Sequence, residues 1–167
     1  MFPCDSVSRP AAAISDVTAM IRVTSSLQIN ATPSRVWDLY ADVPRSADWV
    51  PFVEEVLDVS GPPGLGQVYR ERTRLAGVTD VSEWRVIEWD PPRRQVQFST
   101  AKNLDTRLVI EIEHVGGASR VRETAILNSR LLPPFSWLHE ALFSIVSRQG
   151  LRSALGGAKL YLEAEAR

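Results

Sequence analysis

The sequence predicts an α+β domain in which an antiparallel sheet of about seven strands is accompanied by two short helices and a long terminal helix. Polar and apolar residues alternate through most of residues 21–130, which is the period of half-buried strands. Turn-forming pairs such as Ala76-Gly77 and Gly116-Gly117 separate the alternating runs. Beyond residue 134, leucines recur at three- and four-residue spacing, which is typical of an amphipathic helix.

The bulk properties of the chain limit its function classes. With 19 basic and 20 acidic residues and no long run of either sign, a nucleic-acid surface is not expected. No apolar run is long enough to span a membrane, no signal peptide is evident, and Cys4 has no internal disulfide partner, so we expect a cytoplasmic protein. Residues 1–20 show neither hydrophobic period and are predicted to be a disordered lead before a single domain at 21–167.

The domain begins with an alternating strand, IRVTSSLQINA, which is followed by two short helices. Thr32 and Pro33 supply an N-cap and a first-turn proline for the first helix, SRVWDLYAD. Pro44 ends that helix, and RSADWV forms only a turn or two more before Pro51. The segment FVEEVLDVS then returns to the alternation of a strand.

The next two strands are predicted to form a hairpin around Ala76-Gly77. A two-residue turn there sets Tyr69 opposite Trp84, Arg70 opposite Glu83 and Leu75 opposite Val78. Tyr69 and Trp84 then face inward, and the arginines of the same strand face solvent.

The following strand, RRQVQFST, begins after a turn at Asp90-Pro91-Pro92. We expect Val96 and Phe98 to share the inward face with Trp84 and Val86. Asp80 and Glu88 have the same inward parity but lie near turns.

A last hairpin is predicted around Gly116-Gly117. It pairs Ile110 with Glu123 on the inward face and Glu111 with Arg122 on the outer face. Because opposite charges match outside and one consistent face is apolar inside, the segments predict an antiparallel meander.

The terminal helix follows Pro133-Pro134. Its apolar residues at helical spacing are Leu138, Leu142, Ile145, Leu151, Leu155, Ala158 and Leu162. Glycines cost about 1 kcal/mol each against alanine inside a helix. We therefore expect Gly150, Gly156 and Gly157 to mark a bend or a close approach of another element.

Four segments in this order resemble the START-like, helix-grip proteins, and among them the polyketide cyclase/dehydrase group of the SRPBCC superfamily. The segments are INATPSRVWDLYADVPRSADWVPFVEEV, GPPGLGQVYRER, WRVIEWDPPRRQVQFS and LRSALGGAKLYLEAEA. The resemblance covers about residues 21–166. It implies a curved sheet that grips the C-terminal helix around a deep apolar cavity, with the short helices and the loop after the second strand at its mouth.

This resemblance implies that the inward residues line a cavity, although an ordinary packed core would use the same residue types. The expected cavity residues are Tyr69, Glu71, Thr73, Trp84, Val86, Phe98, Leu108, Ile110, Glu123, Leu142 and Leu155. The expected mouth residues are Trp49, Phe52, Gly64 and Leu65.

Glu71 and Glu123 are the most informative of these residues, because an unpaired carboxylate is costly to bury. They either meet water or a polar ligand group in the cavity, or pair with an arginine such as Arg35 or Arg152.

We therefore predict the binding of a hydrophobic small molecule, such as a lipid, polyketide, isoprenoid or steroid-like compound, by a monomer or weak homodimer. The alternative is a cyclase, aromatase or dehydratase, with Glu71, Glu123, Tyr69 and His114 as catalytic candidates. A module that contacts other proteins is a third hypothesis. No cofactor is expected, and no metal, because His114 and His139 lack neighbours at metal-ligand spacing.

Overall fold

The computed structural model describes residues 20–100, 104–131 and 135–166, and of residues 136, 137, 139 and 140 it describes only the backbone. Apart from Met20, the predicted lead with Cys4 lies outside the described residues, and so does the side chain of His139.

The described chain forms one antiparallel sheet and three α-helices. The elements are β1 (Ile21–Ile29), α1 (Pro33–Ala41), a 3-10 turn (Val43–Arg45), α2 (Ser46–Trp49), β2 (Val53–Ser60), β3 (Val68–Leu75), β4 (Val78–Asp90), β5 (Arg94–Thr100), β6 (Leu104–Val115), β7 (Ala118–Ser129) and α3 (Phe135–Ala164). The strand order is β1-β7-β6-β5-β4-β3-β2, and α3 packs mainly on β1 and β7. The predicted helix-grip arrangement is confirmed.

The β3–β4 hairpin has the predicted turn and register. Ala76 and Gly77 both adopt positive φ, 52° and 81°, as a type I′ turn requires. Tyr69 stands opposite Trp84, so both side chains share the inward face.

The β6–β7 hairpin also has its predicted register. Ile110 stands opposite Glu123 inside, and Glu111 stands opposite Arg122 outside. The outer pair lies 3.8 Å apart, and Arg94 on β5 approaches Glu111 to 2.8 Å. Ion pairs between neighbouring strands therefore lie on this outer face of the sheet, as the sequence predicted.

The prediction that Glu88 faces inward is wrong because β4 contains a bulge. Val86 and Glu88 pair with successive residues of β5, which leaves Ile87 without a partner. The extra residue turns Glu88 outward, where it binds Arg94 at 2.6 Å. It also turns Trp89 inward, where its ring meets Trp37 edge-on at 4.7 Å between centroids.

The predicted face of β5 is also wrong. Phe98 stands opposite Arg85 and Arg107, and Val96 stands opposite Glu88 and Val109, on the outer face. The inward residues of β5 are Gln95, Gln97 and Ser99.

The first short helix is held by the signals that predicted it. The Thr32 hydroxyl accepts a hydrogen bond from the backbone N–H of Arg35 at 3.4 Å, and Pro33 occupies the first turn. The buried side of α1, which includes Trp37 and Tyr40, packs into the main core.

The C-terminal half of α3 packs on the sheet and short helices through Leu151, Leu155, Ala158 and Leu162. Gly157 lies against the backbone carbonyl of Trp49, which is the close approach that the glycines suggested. Within the described residues, no helix combines the length and hydrophobicity needed to cross a bilayer.

The N-terminal half of α3 differs from the prediction. Leu138, Leu142 and Ile145 are 58%, 58% and 68% exposed, and Phe143 instead packs on a small cluster at the end of the sheet. At 100° per residue, Leu142 lies about half a turn from Leu151, which packs on the sheet, whereas Phe143 lies only about 80° from it. The two apolar stripes therefore cannot face the sheet together.

Candidate functional site

A cavity of about 210 Å³ lies between the sheet, the short helices and α3. Liquid water occupies about 30 Å³ per molecule, so the space exceeds that of a few buried waters. The lining residues are Tyr40, Val43, Ser46, Trp49, Val50, Phe52, Val53, Tyr69, Glu71, Leu75, Trp84, Gln97, Thr106, Leu108, Ile110, Glu123, Ala125, Ser147, Gly150, Leu151 and Ala154.

The cavity exists because α3 presents small side chains to it. Ser147, Gly150 and Ala154 lie on one face of the helix at three- and four-residue spacing, and all three line the cavity. At Gly150, the side chains of Phe52 and Leu75 come close to the helix, so the wall of the cavity continues from α3 to these two residues. Larger residues at these positions would fill the space.

The first polar group in the wall consists of Tyr40, Trp49 and Glu123, and is called here the Glu123 cluster. The Tyr40 hydroxyl donates a hydrogen bond to Glu123 Oε1 at 2.7 Å, and the Tyr40 and Trp49 rings lie 4.8 Å apart. Glu123 is 2% exposed, and its Oε2 has no hydrogen-bond partner among the described residues.

The electrostatics of the Glu123 cluster follow from its burial. Burial raises the pKa of Glu123 to about 7, and the hydrogen bond from Tyr40 opposes this rise. The pKa of Tyr40 is raised well above its ordinary value, first by burial and then by the neighbouring carboxylate. Near neutral pH, Glu123 therefore exists in both protonated and ionised forms.

The second polar group, called here the Glu71 cluster, consists of Tyr69, Glu71 and Trp84. The Tyr69 hydroxyl donates a hydrogen bond to Gln97 Oε1 at 2.7 Å. Burial raises the pKa of Glu71 to about 7; the Trp84 indole opposes the rise, although no hydrogen bond of ordinary geometry joins it to the carboxylate. Burial and the Glu71 charge also raise the pKa of Tyr69.

The two clusters leave the cavity acidic. Lysine, arginine and histidine are absent from its described lining, and neither glutamate forms an ion pair within the described part of the chain. Arg35, one of the expected partners, pairs with Glu165 at 3.0 Å instead. In the described ranges, no group of three His, Cys, Asp or Glu side chains is arranged to hold a metal ion.

The structure brings many of the predicted cavity residues together at this wall. They are Tyr69, Glu71, Trp84, Leu108, Ile110 and Glu123. Trp49 and Phe52, which were expected at the mouth, line it as well.

The other predicted site residues lie elsewhere. Phe98 is on the outer face because of the β5 register, and Leu142 is exposed because of the helical phase. Thr73, Val86 and Leu155 do not line the cavity, and Leu155 belongs to the packed core. Gly64 and Leu65 also lie outside the lining, and Leu65 is 70% exposed.

His114 is an exposed residue near the Gly116-Gly117 turn, outside the cavity lining. It stands opposite Ser119 in the β6–β7 ladder. Its position does not bring it to the reacting groups that a cavity ligand would meet, so the structure gives no support to its candidacy as a catalytic residue.

Tyr40, Gln97 and the small residues of α3 were not anticipated as site residues. Tyr40 is a buried residue of α1, and nothing local in the sequence links it to Glu123. Gln97 stands opposite Leu108, which has the inward parity of Ile110, so the alternation of β6 was the available signal. For α3, the spacing of Ser147, Gly150 and Ala154 was the signal.

A family model described as polyketide cyclase / dehydrase and lipid transport matches residues 20–163. No curated protein matches the chain at a significant level.

Solved structures resemble this fold at low sequence identity. The Zhui aromatase/cyclase from Streptomyces sp. R1128 is 20% identical, with a TM-score of 0.78 over 89% of this chain and 96% of that chain. TTHA0849 from Thermus thermophilus is 21% identical, with a TM-score of 0.75 over 88% and 100% of the two chains. A START superfamily protein from Mycobacterium smegmatis is 14% identical, with a TM-score of 0.65 over 84% and 98%. At these identities the similarity shows the fold alone.

Proposed function

Because the chain belongs to the polyketide cyclase / dehydrase and lipid transport family, we propose that it binds a hydrophobic small molecule in the cavity between the sheet and α3. The wall of the cavity is the observation that carries this proposal. Apolar and aromatic side chains form most of it, and a few polar groups, mainly the Glu123 and Glu71 clusters, interrupt them. That composition is typical of ligand pockets, in which apolar area supplies affinity and a few polar atoms fix orientation.

An Ala154→Leu substitution is expected to weaken binding of the uncharged probe 1-naphthalenemethanol at least about tenfold, because the larger side chain occupies space that the ligand needs. Isothermal titration calorimetry measures the affinity. Ala164→Leu, the same change at an exposed position in the last turn of α3, is the matched control and should bind as the wild type does. If the wild type binds neither this probe nor its amine analogue 1-naphthylmethylamine, or if Ala154→Leu binds the probe as tightly as the wild type does, the proposal is wrong.

A second candidate function is acid–base catalysis on a ligand held in this cavity. Two carboxyl groups whose pKa values burial raises to about 7 favour it, because a group that titrates near neutral pH can both give and take a proton. The Zhui protein is named as an aromatase/cyclase. For a poly-β-ketone, one carboxylate would remove a proton from the carbon between two carbonyls. The carbanion would attack a further carbonyl carbon while the other carboxylic acid protonates the oxygen of that carbonyl, which becomes a hydroxyl. Water would then leave as the first carboxyl group protonates this hydroxyl and the second removes the remaining proton from the attacking carbon, which returns both groups to their starting forms.

This candidate predicts that the wild type accelerates aromatic cyclisation of a synthetic poly-β-ketone N-acetylcysteamine thioester, followed by absorbance of the product. Glu71→Gln and Glu123→Gln should each lower the rate roughly 100-fold, within the usual range for an acid or base. Glu113→Gln, an exposed change on β6, should not. No acceleration by the wild type would remove the catalytic candidate while leaving the binding proposal intact.

A further inference from the structure

The charge of the cavity wall limits the charge of its ligand. The wall carries two carboxyl groups and two tyrosine hydroxyls, and its described residues include no cationic side chain. A carboxylate or phosphate inside would lose its hydration without gaining a counter-ion, and would face two acidic groups. An organic cation would instead gain a buried counter-ion.

The Glu123 cluster is arranged for such a cation. Tyr40 holds one carboxylate oxygen at 2.7 Å, which fixes the carboxylate, and leaves Oε2 unpartnered in the described structure. The Tyr40 ring, whose hydroxyl makes that bond, and the Trp49 ring are inclined at 56° with centroids 4.8 Å apart, and both residues line the cavity with Glu123. Aromatic faces attract an ammonium group through their negative quadrupoles, and a desolvated site strengthens that attraction.

The Glu71 cluster lacks these two properties together. Its tyrosine hydroxyl is committed to Gln97 and not to the carboxylate. In the described structure no hydroxyl holds the Glu71 carboxylate, and neither of its oxygens is both fully buried and without a partner, as Glu123 Oε2 is. The cation would be held better at Glu123.

We propose that the cavity recognises a hydrophobic amine in its protonated form, with the ammonium group bound by the Glu123 carboxylate and the rings of Tyr40 and Trp49. This inference rests on the proposed binding function and names the ligand class for the same site. The apolar wall receives the hydrocarbon part of the ligand. The titratable groups that line the cavity with Glu123 are Tyr40 from α1 and Tyr69 and Glu71 from β3, and the α3 residues of the lining carry no charge.

Three probes of one shape separate this proposal from its alternatives: 1-naphthylmethylamine, 1-naphthalenemethanol and 1-naphthoate. Calorimetry at pH 8 should show the amine binding at least about tenfold more tightly than the alcohol, because a charge-assisted hydrogen bond exceeds a neutral one. The naphthoate should not bind. Between pH 8 and pH 5.5 the affinity for the amine should fall at least about tenfold as Glu123 becomes protonated, whereas the affinity for the alcohol should not fall.

Two matched variants locate the ammonium group. Glu123→Gln, which keeps an oxygen that can accept from Tyr40, should reduce amine affinity to that of the alcohol and leave the alcohol unchanged. Glu71→Gln should keep the preference for the amine. Equal binding of amine and alcohol, binding of naphthoate as tight as that of the amine, or a preference that survives Glu123→Gln would overturn the inference. If the alcohol binds and the amine does not, the binding function stands and only the inference fails; if none of the probes binds, both fail.

Discussion

A Gly157→Ala variant is expected to lose about 1–3 kcal/mol of unfolding free energy, the usual cost of forcing an extra group into a packed interior. A methyl group at this position would overlap the carbonyl oxygen of Trp49 and press on Pro51. Because the obstructing oxygen belongs to the backbone, it cannot rotate away, and α3 must separate from the end of α2. The higher helix propensity of alanine, worth about 1 kcal/mol, offsets only part of this cost. Urea denaturation followed by circular dichroism measures the change.

The neighbouring glycine provides a control with the opposite expected sign. A methyl group at Gly156 would meet no atom within 4 Å, so Gly156→Ala should gain about 0.5–1 kcal/mol from helix propensity. Both substitutions are identical and adjacent in one helix, so a difference between them reports the contact with Trp49. Equal stability of the two variants would show that the close approach does not exist. Since Trp49 belongs to the Glu123 cluster, Gly157→Ala should also weaken ligand binding.

The parts of the fold that could be predicted from the sequence are those that short-range signals determine. Ala76-Gly77 fixes a two-residue turn, and the turn fixes which residues of β3 and β4 stand opposite each other. Thr32 and Pro33 mark the start of α1 in the same local way. A chain of seven strands followed by a terminal helix then has few possible arrangements, and the family resemblance selects one of them.

The predictions of side-chain orientation failed where the phase of the polar–apolar pattern could not be read from the sequence. The bulge at Ile87 inserts one residue into β4, which exchanges the faces of Glu88 and Trp89. The bulge has no strong local signature here, and the contact that it allows, the packing of Trp89 on Trp37, involves another element. Similarly, apolar spacing identified the helix at Leu142 but did not reveal which stripe meets the sheet.

The candidate site was predictable in its chemistry more than in its contacts. Inward parity singled out Glu71 and Glu123 as costly residues, and the structure places both at the cavity wall. It could not reveal that Tyr40 reaches Glu123, because the two residues are 83 positions apart and meet only when α1 is folded over the sheet. Nor could it separate cavity from core, since that difference depends on small residues of α3 such as Gly150.

The stability of the protein is expected to fall as the pH rises from 5 through 7, and to stop changing through these groups at about pH 8. An unfolded glutamate has a pKa of about 4.3, whereas burial raises the pKa of Glu71 and Glu123 to about 7. Between these values the folded state keeps protons that the unfolded state has released, so increasing pH favours unfolding. The difference between the folded and unfolded pKa values corresponds to on the order of 4 kcal/mol for each group. Thermal or urea unfolding at several pH values measures the slope.

Glutamine substitutions test whether these two carboxyl groups cause the slope. Glu71→Gln and Glu123→Gln should each flatten it, and at pH 8 each variant should be more stable than the wild type, because a neutral amide replaces a buried charge. The exposed change Glu113→Gln should leave the slope unaltered. Equal slopes in all four proteins would show that the glutamates titrate as exposed groups do. The same ionisation that lowers stability at pH 8 leaves Glu123 charged and without a cationic partner. A protonated amine should therefore stabilise the protein more at pH 8 than at pH 5.5.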